Sequence, residues 1–137
     1  MTRLSHLLDT NTCIYLIRQR PAGALGRFEE FEVGEIGASV ITVCELRYGV
    51  EKSARSEQNT QALERFLLPI EIVDFGAEAT KEYGRTRAAL EKLGTPIGPL
   101  DTLIAAHALS LDATLVTNNT REFQRVQDLR LEDWTLP

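Results

Sequence analysis

The sequence predicts an α/β domain, with three α/β/α layers around a short, mostly parallel sheet of about five strands. Three observations carry that prediction. Short apolar runs alternate with longer segments of helical period along the chain. Strands separated by helices imply parallel pairing through right-handed crossovers. The length, 137 residues, is that of one ordinary domain, so 1–137 reads as a single unit able to bury its own core.

Leu4–Leu8 is a short apolar run ending at Asp9 and reads as the first strand. Thr10–Gln19 places Cys13, Ile14, Leu16 and Ile17 at helical spacing, and Pro21 and Gly23 break it. Ala24–Phe31, carrying Leu25, Phe28 and Phe31, reads as a second helix. Gly34 and Gly37 bracket a second strand, Glu35–Ser39, and Val40–Lys52 follows as helix. Glu57–Leu68 is a helix with Leu63, Phe66 and Leu67 facing inward, and Pro69 ends it. Ile70–Val73 is the third strand. Gly76–Leu93 is a long polar helix, capped by Gly94. Thr95–Pro99 is a stiff loop. Leu100–Leu111 is the clearest helix, with Leu100, Leu103, Ile104, Ala108 and Leu111 on one stripe. Thr114–Thr117 is the fourth strand, Thr120–Phe123 at most one helical turn, and Leu129–Leu131 the fifth strand, with Trp134 packing near the C-terminus.

Composition narrows the function. Fifteen Lys and Arg against 20 Asp and Glu leave a net charge of −5. That excludes a tail-type nucleic-acid binder, whose affinity comes from basic excess. It leaves open an enzyme that gathers carboxylates around a metal. The apolar stretch Leu103–Leu109 is interrupted by His107 and falls far short of the ~20 residues that span a bilayer. Met1–Asp9 lacks the apolar region of a secretory signal. Cys13 and Cys44 sit in apolar stretches without a CxxC pair. The expectation is a reduced, cytoplasmic protein without membrane contact, whose cysteines fill the core.

Ligands of open parallel sheets bind beyond the carboxyl ends of the strands. Asp9 follows the first strand, Glu45 lies about one turn into the helix after the second, and Asn118, Asn119 and Glu122 follow the fourth. Asp101 opens the helix that precedes the fourth strand. On Val40–Lys52, Ile41, Cys44 and Tyr48 form one apolar line and Val43, Leu46 and Val50 another. The remaining face carries Thr42, Glu45 and Gly49, which suits a cleft wall. Each acid also has a structural reading. Asp9 could cap the helix from Thr10, Thr42-x-x-Glu45 and Asn119-x-x-Glu122 match capping boxes, and Asp101 could complement a helix dipole. Gathered on one edge, the carboxylates would repel one another, and a divalent cation would remove that penalty. Hard oxygen ligands with open positions suit Mg²⁺ or Mn²⁺. His6 and His107 read as structural. Six residues beyond Asp101, about 240° of helix, His107 faces away from it.

Four blocks resemble the signatures of PIN-domain ribonucleases. They are Leu7-Leu8-Asp9-Thr10-Asn11, Ile41-Thr42-Val43-Cys44-Glu45-Leu46-Arg47-Tyr48-Gly49, Gly98-Pro99-Leu100-Asp101-Thr102-Leu103-Ile104-Ala105-Ala106 and Leu115-Val116-Thr117-Asn118-Asn119-Thr120-Arg121-Glu122-Phe123. More narrowly they resemble the VapC toxins of bacterial type II toxin–antitoxin modules, and Arg130-Leu131-Glu132-Asp133-Trp134 fits the same subgroup. The resemblance runs from about Leu4 to Trp134.

It implies a PIN-like fold and a Mg²⁺-dependent endoribonuclease, with Mn²⁺ able to substitute. The implied toxin inhibits translation by cleaving structured RNA, often tRNA, and for this subgroup initiator tRNA. Asp9, Glu45 and Asp101 carry over as the catalytic, metal-binding acids. Asp9 and Asp101 would be direct ligands, while Glu45 would hold metal-bound water or act as general base. The family's fourth acid falls at Asn119. Its amide oxygen would then accept from water, or Glu122 would supply the missing charge. Asn11 is expected to orient Asp9, and Thr117 to position this end of the site. Among basic residues (Arg18, Arg20, Arg27, Arg85, Arg87, Lys92, Arg121 and Arg125), Arg121 has the best claim to RNA.

A VapB-type antitoxin is the implied partner, with Ile14, Tyr15, Ile17, Phe28 and Phe31 forming either its groove or the core. A homodimer or a toxin–antitoxin hetero-oligomer is expected by analogy. Two other readings stand beside this one. Asn119 favours a catalytically weak or inactive PIN-fold module that binds RNA or protein. Asp9-Thr10-Asn11-Thr12 loosely resembles the strand-end motif of haloacid-dehalogenase phosphatases, with Asn11 where their second acid stands.

Overall fold

A computed structural model describes residues 3–19 and 22–135. Arg20, read above as a candidate RNA contact, and Pro21, read as a helix breaker, lie outside the described residues, as does the side chain of Leu25. The elements run β1 (His6–Leu8), α1 (Thr10–Gln19), α2 (Ala22–Glu29), β2 (Ile36–Ser39), α3 (Val40–Glu51), α4 (Ser56–Leu67), β3 (Glu71–Val73), α5 (Ala77–Lys92), α6 (Pro99–Ser110), β4 (Thr114–Val116), α7 (Thr120–Phe123) and β5 (Leu131–Glu132).

The five strands pair in the order β3-β2-β1-β4-β5, and every pairing is parallel. The chain builds outward from β1 on one side, then returns to lay β4 on the other. That reversal between β1 and β4 makes their carboxyl ends a topological switch point, where open sheets leave a crevice.

The pleat of β1 sends neighbouring side chains to opposite faces. Leu8, with Ile36, Ala38 and Val116, packs on Cys13 and Leu16 of α1, Val43 and Leu46 of α3, Leu63 and Leu67 of α4, and Trp134. Leu7, with Leu115, packs on Leu90 of α5, Ile104, Ala105 and Ala108 of α6, and Phe123 of α7. The expected three layers are therefore present. Leu7 and Leu8 are fully buried, and truncating either to Ala would cost about 2–5 kcal/mol.

Several boundaries differ from expectation for identifiable reasons. Leu4 and Ser5 precede β1, although the Ser5 and His6 amides both donate to the Glu35 carbonyl. Glu35 itself lies before β2, Ile70 before β3, and Thr117 after β4. The fifth strand moves from Leu129–Leu131 to Leu131–Glu132, and α2 from Ala24–Phe31 to Ala22–Glu29. Gly37 lies inside β2 rather than at its edge. A Cβ there would meet the Glu71 carbonyl oxygen of β3 at 2.7 Å and the Leu4 side chain at 2.6 Å, so only glycine fits.

The expected single stripe on α6 also fails. Thr102 and His107 are buried together with Ile104, Ala105, Ala106 and Ala108, whereas Leu100 is exposed. The helix lies against the sheet with α5 on one flank and α3 on another, so its polar positions are covered too. Gly94 caps α5 as expected, at φ 72° with its amide on the Glu91 carbonyl. Both cysteines are free, but only Cys13 is buried; Cys44 is exposed, against the expectation of core filler. Tyr48 is exposed as well, so the line Ile41–Cys44–Tyr48 faces solvent over most of its length. Its neighbour Thr42 takes the fully buried position instead.

Candidate active site

Asp9 leaves the carboxyl end of β1 and is 3% exposed. Its backbone amide donates to the Val116 carbonyl of β4. One carboxylate oxygen, Oδ1, accepts the Thr12 amide at 2.8 Å, which caps the first turn of α1. The other, Oδ2, accepts the Thr117 hydroxyl at 2.5 Å. The capping role and the candidate ligand role thus belong to the same carboxylate. Thr12 also donates its own hydroxyl to the Val116 carbonyl, so α1 is tied to the end of β4. Burial pushes the Asp9 carboxyl above its ordinary range. The Thr117 and Thr12 hydrogen bonds oppose that rise, and the charge of Glu45 adds to it.

Glu45 is half-buried on α3, and its Oε1 accepts the Thr10 hydroxyl at 2.6 Å. The capping box expected of Thr42 and Glu45 does not form. Ser39 is the N-cap of α3, its hydroxyl accepting from the Ile41 amide. The Ser39 hydroxyl is in turn 2.7 Å from Nδ1 of His107. His107 therefore serves the packing of α6 on the start of α3, as its direction away from Asp101 foretold.

Asp101 enters from the side opposite the strands, in the first turn of α6 behind Pro99 and the N-cap Gly98. Its carboxyl is pushed up to about 6, first by burial and then by the charges of Asp9, Glu45 and Glu122. Acids from four segments therefore feel one another at a single edge. Among the described residues, none of the four is in an ion pair with a basic side chain.

Thr117 and Asn119 finish this edge from β4. The Asn119 amide donates to the Thr117 hydroxyl oxygen, and Asn119 Nδ2 donates to Glu122 Oε2 at 2.9 Å. Asn119 is the N-cap residue of α7 but makes no side-chain cap, so the second expected capping box is also absent. Arg121 is exposed beside this pair. Asn11 is exposed and makes no hydrogen bond to Asp9 among the described residues; Thr12 and Thr117 hold Asp9 instead. Thr10, Thr12 and Ser39 were not singled out from sequence. Ser39 had a legible signal, an N-cap type directly before a helix. Thr10 and Thr12 carry no comparable local signal.

Among the described residues, no three His, Cys, Asp or Glu side chains stand close enough to form a ready-made metal cage. The donor set is nonetheless all oxygen, mutually repelling and without a counter-charge. It suits a cation that takes one or two carboxylates and keeps several waters, the habit of Mg²⁺. Each oxygen of Asp9 has lone pairs beyond the one its donor uses. A groove of about 850 Å³ runs from Thr10, Asn11 and Glu45 along α1, α3 and α4, with Ile14, Ile17, Cys44, Tyr48 and Leu100 in its walls. A second groove of about 450 Å³ is lined by Ile17, Phe28, Phe31 and Phe66. Ile14, Tyr15, Ile17, Phe28 and Phe31 also pack on the core, so the two readings of these residues are not exclusive.

A doubly wound parallel sheet with acids gathered at its switch point is the frame of a PIN domain, and the PIN domain family model matches residues 6–129. The chain belongs to that family. Within it the chain is of the VapC type. It is 45% identical to the tRNA(fMet)-specific endonuclease VapC of Shigella flexneri over 96% of this chain and 99% of that one. It is also 45% identical to ribonuclease VapC2 of Rickettsia felis, over 94% and 97% of the two chains. The crystal structure of VapBC2 from Rickettsia felis bound to a promoter DNA fragment superposes with a TM-score of 0.92 at 44% identity, covering 96% of this chain and 99% of that one. DNA-bound VapBC from Salmonella typhimurium gives the same TM-score of 0.92 at 43% identity, covering 96% and 98%.

Proposed function

We propose that this protein is a Mg²⁺-dependent endoribonuclease toxin of the cytoplasm, cleaving structured RNA with initiator tRNA as first candidate, inhibiting translation and neutralised by a VapB-type antitoxin. The observation that carries this reading is that Asp9, Glu45 and Glu122 lie near enough to Asp101 to raise its carboxyl, while none of the four has an ion-pair partner among the described residues. The names of the VapC relatives and VapBC complexes support the substrate class and the partner. No helix among the described residues is long and apolar enough to cross a membrane.

When bound, a divalent cation would supply Lewis-acid polarisation of water and neutralise charge on the attacked phosphate. Asp9 and Asp101 are the residues to hold it. Thr117 and the Thr12 amide fix the rotamer of Asp9, so its remaining lone pairs point one way. Thr10 does the same for Glu45 through Oε1, leaving Oε2 to orient the attacking water and take its proton. Asn119, bonded to Glu122, contributes an amide oxygen where many relatives place an acid. Attack by water leaves a 5′-phosphate and a 3′-hydroxyl, so the ribose 2′-hydroxyl takes no part. Arg121, exposed beside Asn119 and Glu122, would meet a flanking phosphate.

The test is Mg²⁺-dependent cleavage of bulk tRNA by purified protein, with Asp9→Ala and Asp101→Ala as controls. Cleavage that persists in chelator, or survives both substitutions, contradicts the mechanism. Glu45→Gln keeps an acceptor for Thr10 and should fold normally while losing most turnover. A second reading, a PIN-fold binding module without turnover, has one feature in its favour: Asn119 at the fourth position spends its amide nitrogen on Glu122. Absence of cleavage with retained RNA binding would select it.

A further inference from the structure

Tyr48 has no role in the chemistry above, yet its placement is unusual. It is 66% exposed, although aromatic side chains normally bury most of their area. It stands three residues beyond Glu45 on α3, on neighbouring positions of the helix surface with about 5–6 Å between Cβ atoms. Both line the same 850 Å³ groove. The Lys52 ammonium lies 4.9 Å from the Tyr48 ring centroid. Lys52 and Arg18 both line the groove, and neither has a carboxylate partner among the described residues. Gly49, next in sequence, leaves open space where a Cβ would stand.

We infer that Tyr48 and Lys52 form a substrate subsite, in which an unpaired base adjacent to the cleaved phosphodiester stacks on the Tyr48 ring while Lys52 and Arg18 meet the neighbouring phosphates. This rests on the nuclease reading and deepens it. A ring one turn from a candidate catalytic acid is about one nucleotide from the bond it serves. Stacking is tolerant of base identity, because every base has a π face, so the subsite selects unstacked, single-stranded RNA rather than a sequence. Lys52 and Arg18 bring positive charge to the groove wall of a chain whose net charge is −5, which favours a polyanion there. Ile14, Ile17 and Leu100 line other parts of the groove, but an apolar peptide would leave the two wall cations without a counter-charge. RNA is therefore the occupant the groove chemistry favours.

The test uses a fluorescein-labelled single-stranded RNA oligonucleotide containing the cleaved sequence from an initiator-tRNA loop, read both by cleavage and by anisotropy. Tyr48→Ala should raise KM by about ten-fold or more, with the loss in KM rather than kcat. Tyr48→Trp should restore binding that Tyr48→Ala loses. A single abasic position beside the cleaved bond should weaken wild-type binding to the same degree and add nothing to Tyr48→Ala. Lys52→Ala should lower the slope of log Kd on log salt by about 0.7. The inference is overturned if wild type cleaves the RNA and Tyr48→Ala matches it within two-fold. It is also overturned if Tyr48→Ala loses only the capture of an antitoxin, which would make the groove a protein site. If wild type neither binds nor cleaves RNA, the nuclease reading itself falls.

Discussion

Asp9 and Asp101 carry the same side chain to the same edge and are held in opposite ways. Asp9 ends a buried strand, and both its oxygens take hydrogen bonds from the chain itself, at 2.8 and 2.5 Å. Asp101 sits in the first turn of a helix, half-buried, with no side chain bonded to it among the described residues. The fold stabilises Asp9 by internal donors and leaves Asp101 with three acids as neighbours. One is part of the framework; the other is a charge that the fold leaves largely uncompensated. That difference separates the residue that organises the site from the residue whose charge is least compensated.

The largest effect should be shared by both. Asp9→Ala and Asp101→Ala should each lower RNA cleavage by about 100-fold or more, measured as single-turnover rates in saturating Mg²⁺. Stability should then split them. Without metal, Asp9→Ala loses a helix cap and strands two buried donors, costing about 1–2 kcal/mol, or a midpoint lower by about 3–7 °C. Asp101→Asn removes repulsion and should raise the midpoint. Thermal melts in chelator that move both variants the same way would erase the distinction.

Thr117 sharpens it further. Thr117→Val removes the donor to Asp9 Oδ2 while keeping the shape of the side chain after β4. It should cost about 1–2 kcal/mol and about ten-fold in rate, whereas Thr117→Ser should recover both.

The pH dependence is subtler. Asp101 has a folded value of about 6 against 3.8 ordinarily, so the folded state binds the proton more tightly than the unfolded chain. Its contribution to stability is present below about pH 4 and is lost as pH rises through about 6. Melts of metal-free wild type should therefore decline relative to Asp101→Asn over that window. Cleavage should follow the opposite course, falling as pH drops through about 6, because a protonated carboxyl is a poor ligand.

Asn119→Asp should have the smallest effect. It restores a fourth acid but forfeits the Nδ2 donor to Glu122. A gain of about two- to three-fold in apparent Mg²⁺ affinity, without a rise in kcat, is expected from activity titrations.

The same contrast explains what could be read from sequence. Asp9 follows an apolar run and precedes a helix, so both its place and its capping role were legible. Asp101 comes from the start of a helix, and no local pattern says which edge of the sheet that end will meet; only the crossover from β3 through α5 and α6 to β4 decides it. Cys44 and Tyr48 were assigned inward by periodicity, yet they face the groove because Thr42, a polar type, took the buried position. Hydrophobic spacing reads threonine as surface. Here Thr12, Thr42 and Thr117 are all fully buried, two of them spending their hydroxyls on the strand ends and the carboxylate. Asn11, which the resemblance implies orients Asp9, is exposed, and Thr12 makes that contact instead. The fifth strand starts two residues later than expected because it makes only two register pairs, too short for a pattern.

The central claim is that a divalent cation relieves the charge at Asp101, and Mg²⁺ titrated during thermal unfolding at pH 7 tests it directly. Wild type should start low and climb with added Mg²⁺, while Asp101→Asn should start higher and stay nearly flat. Parallel responses of the two proteins, or none from wild type at millimolar Mg²⁺, would contradict the account.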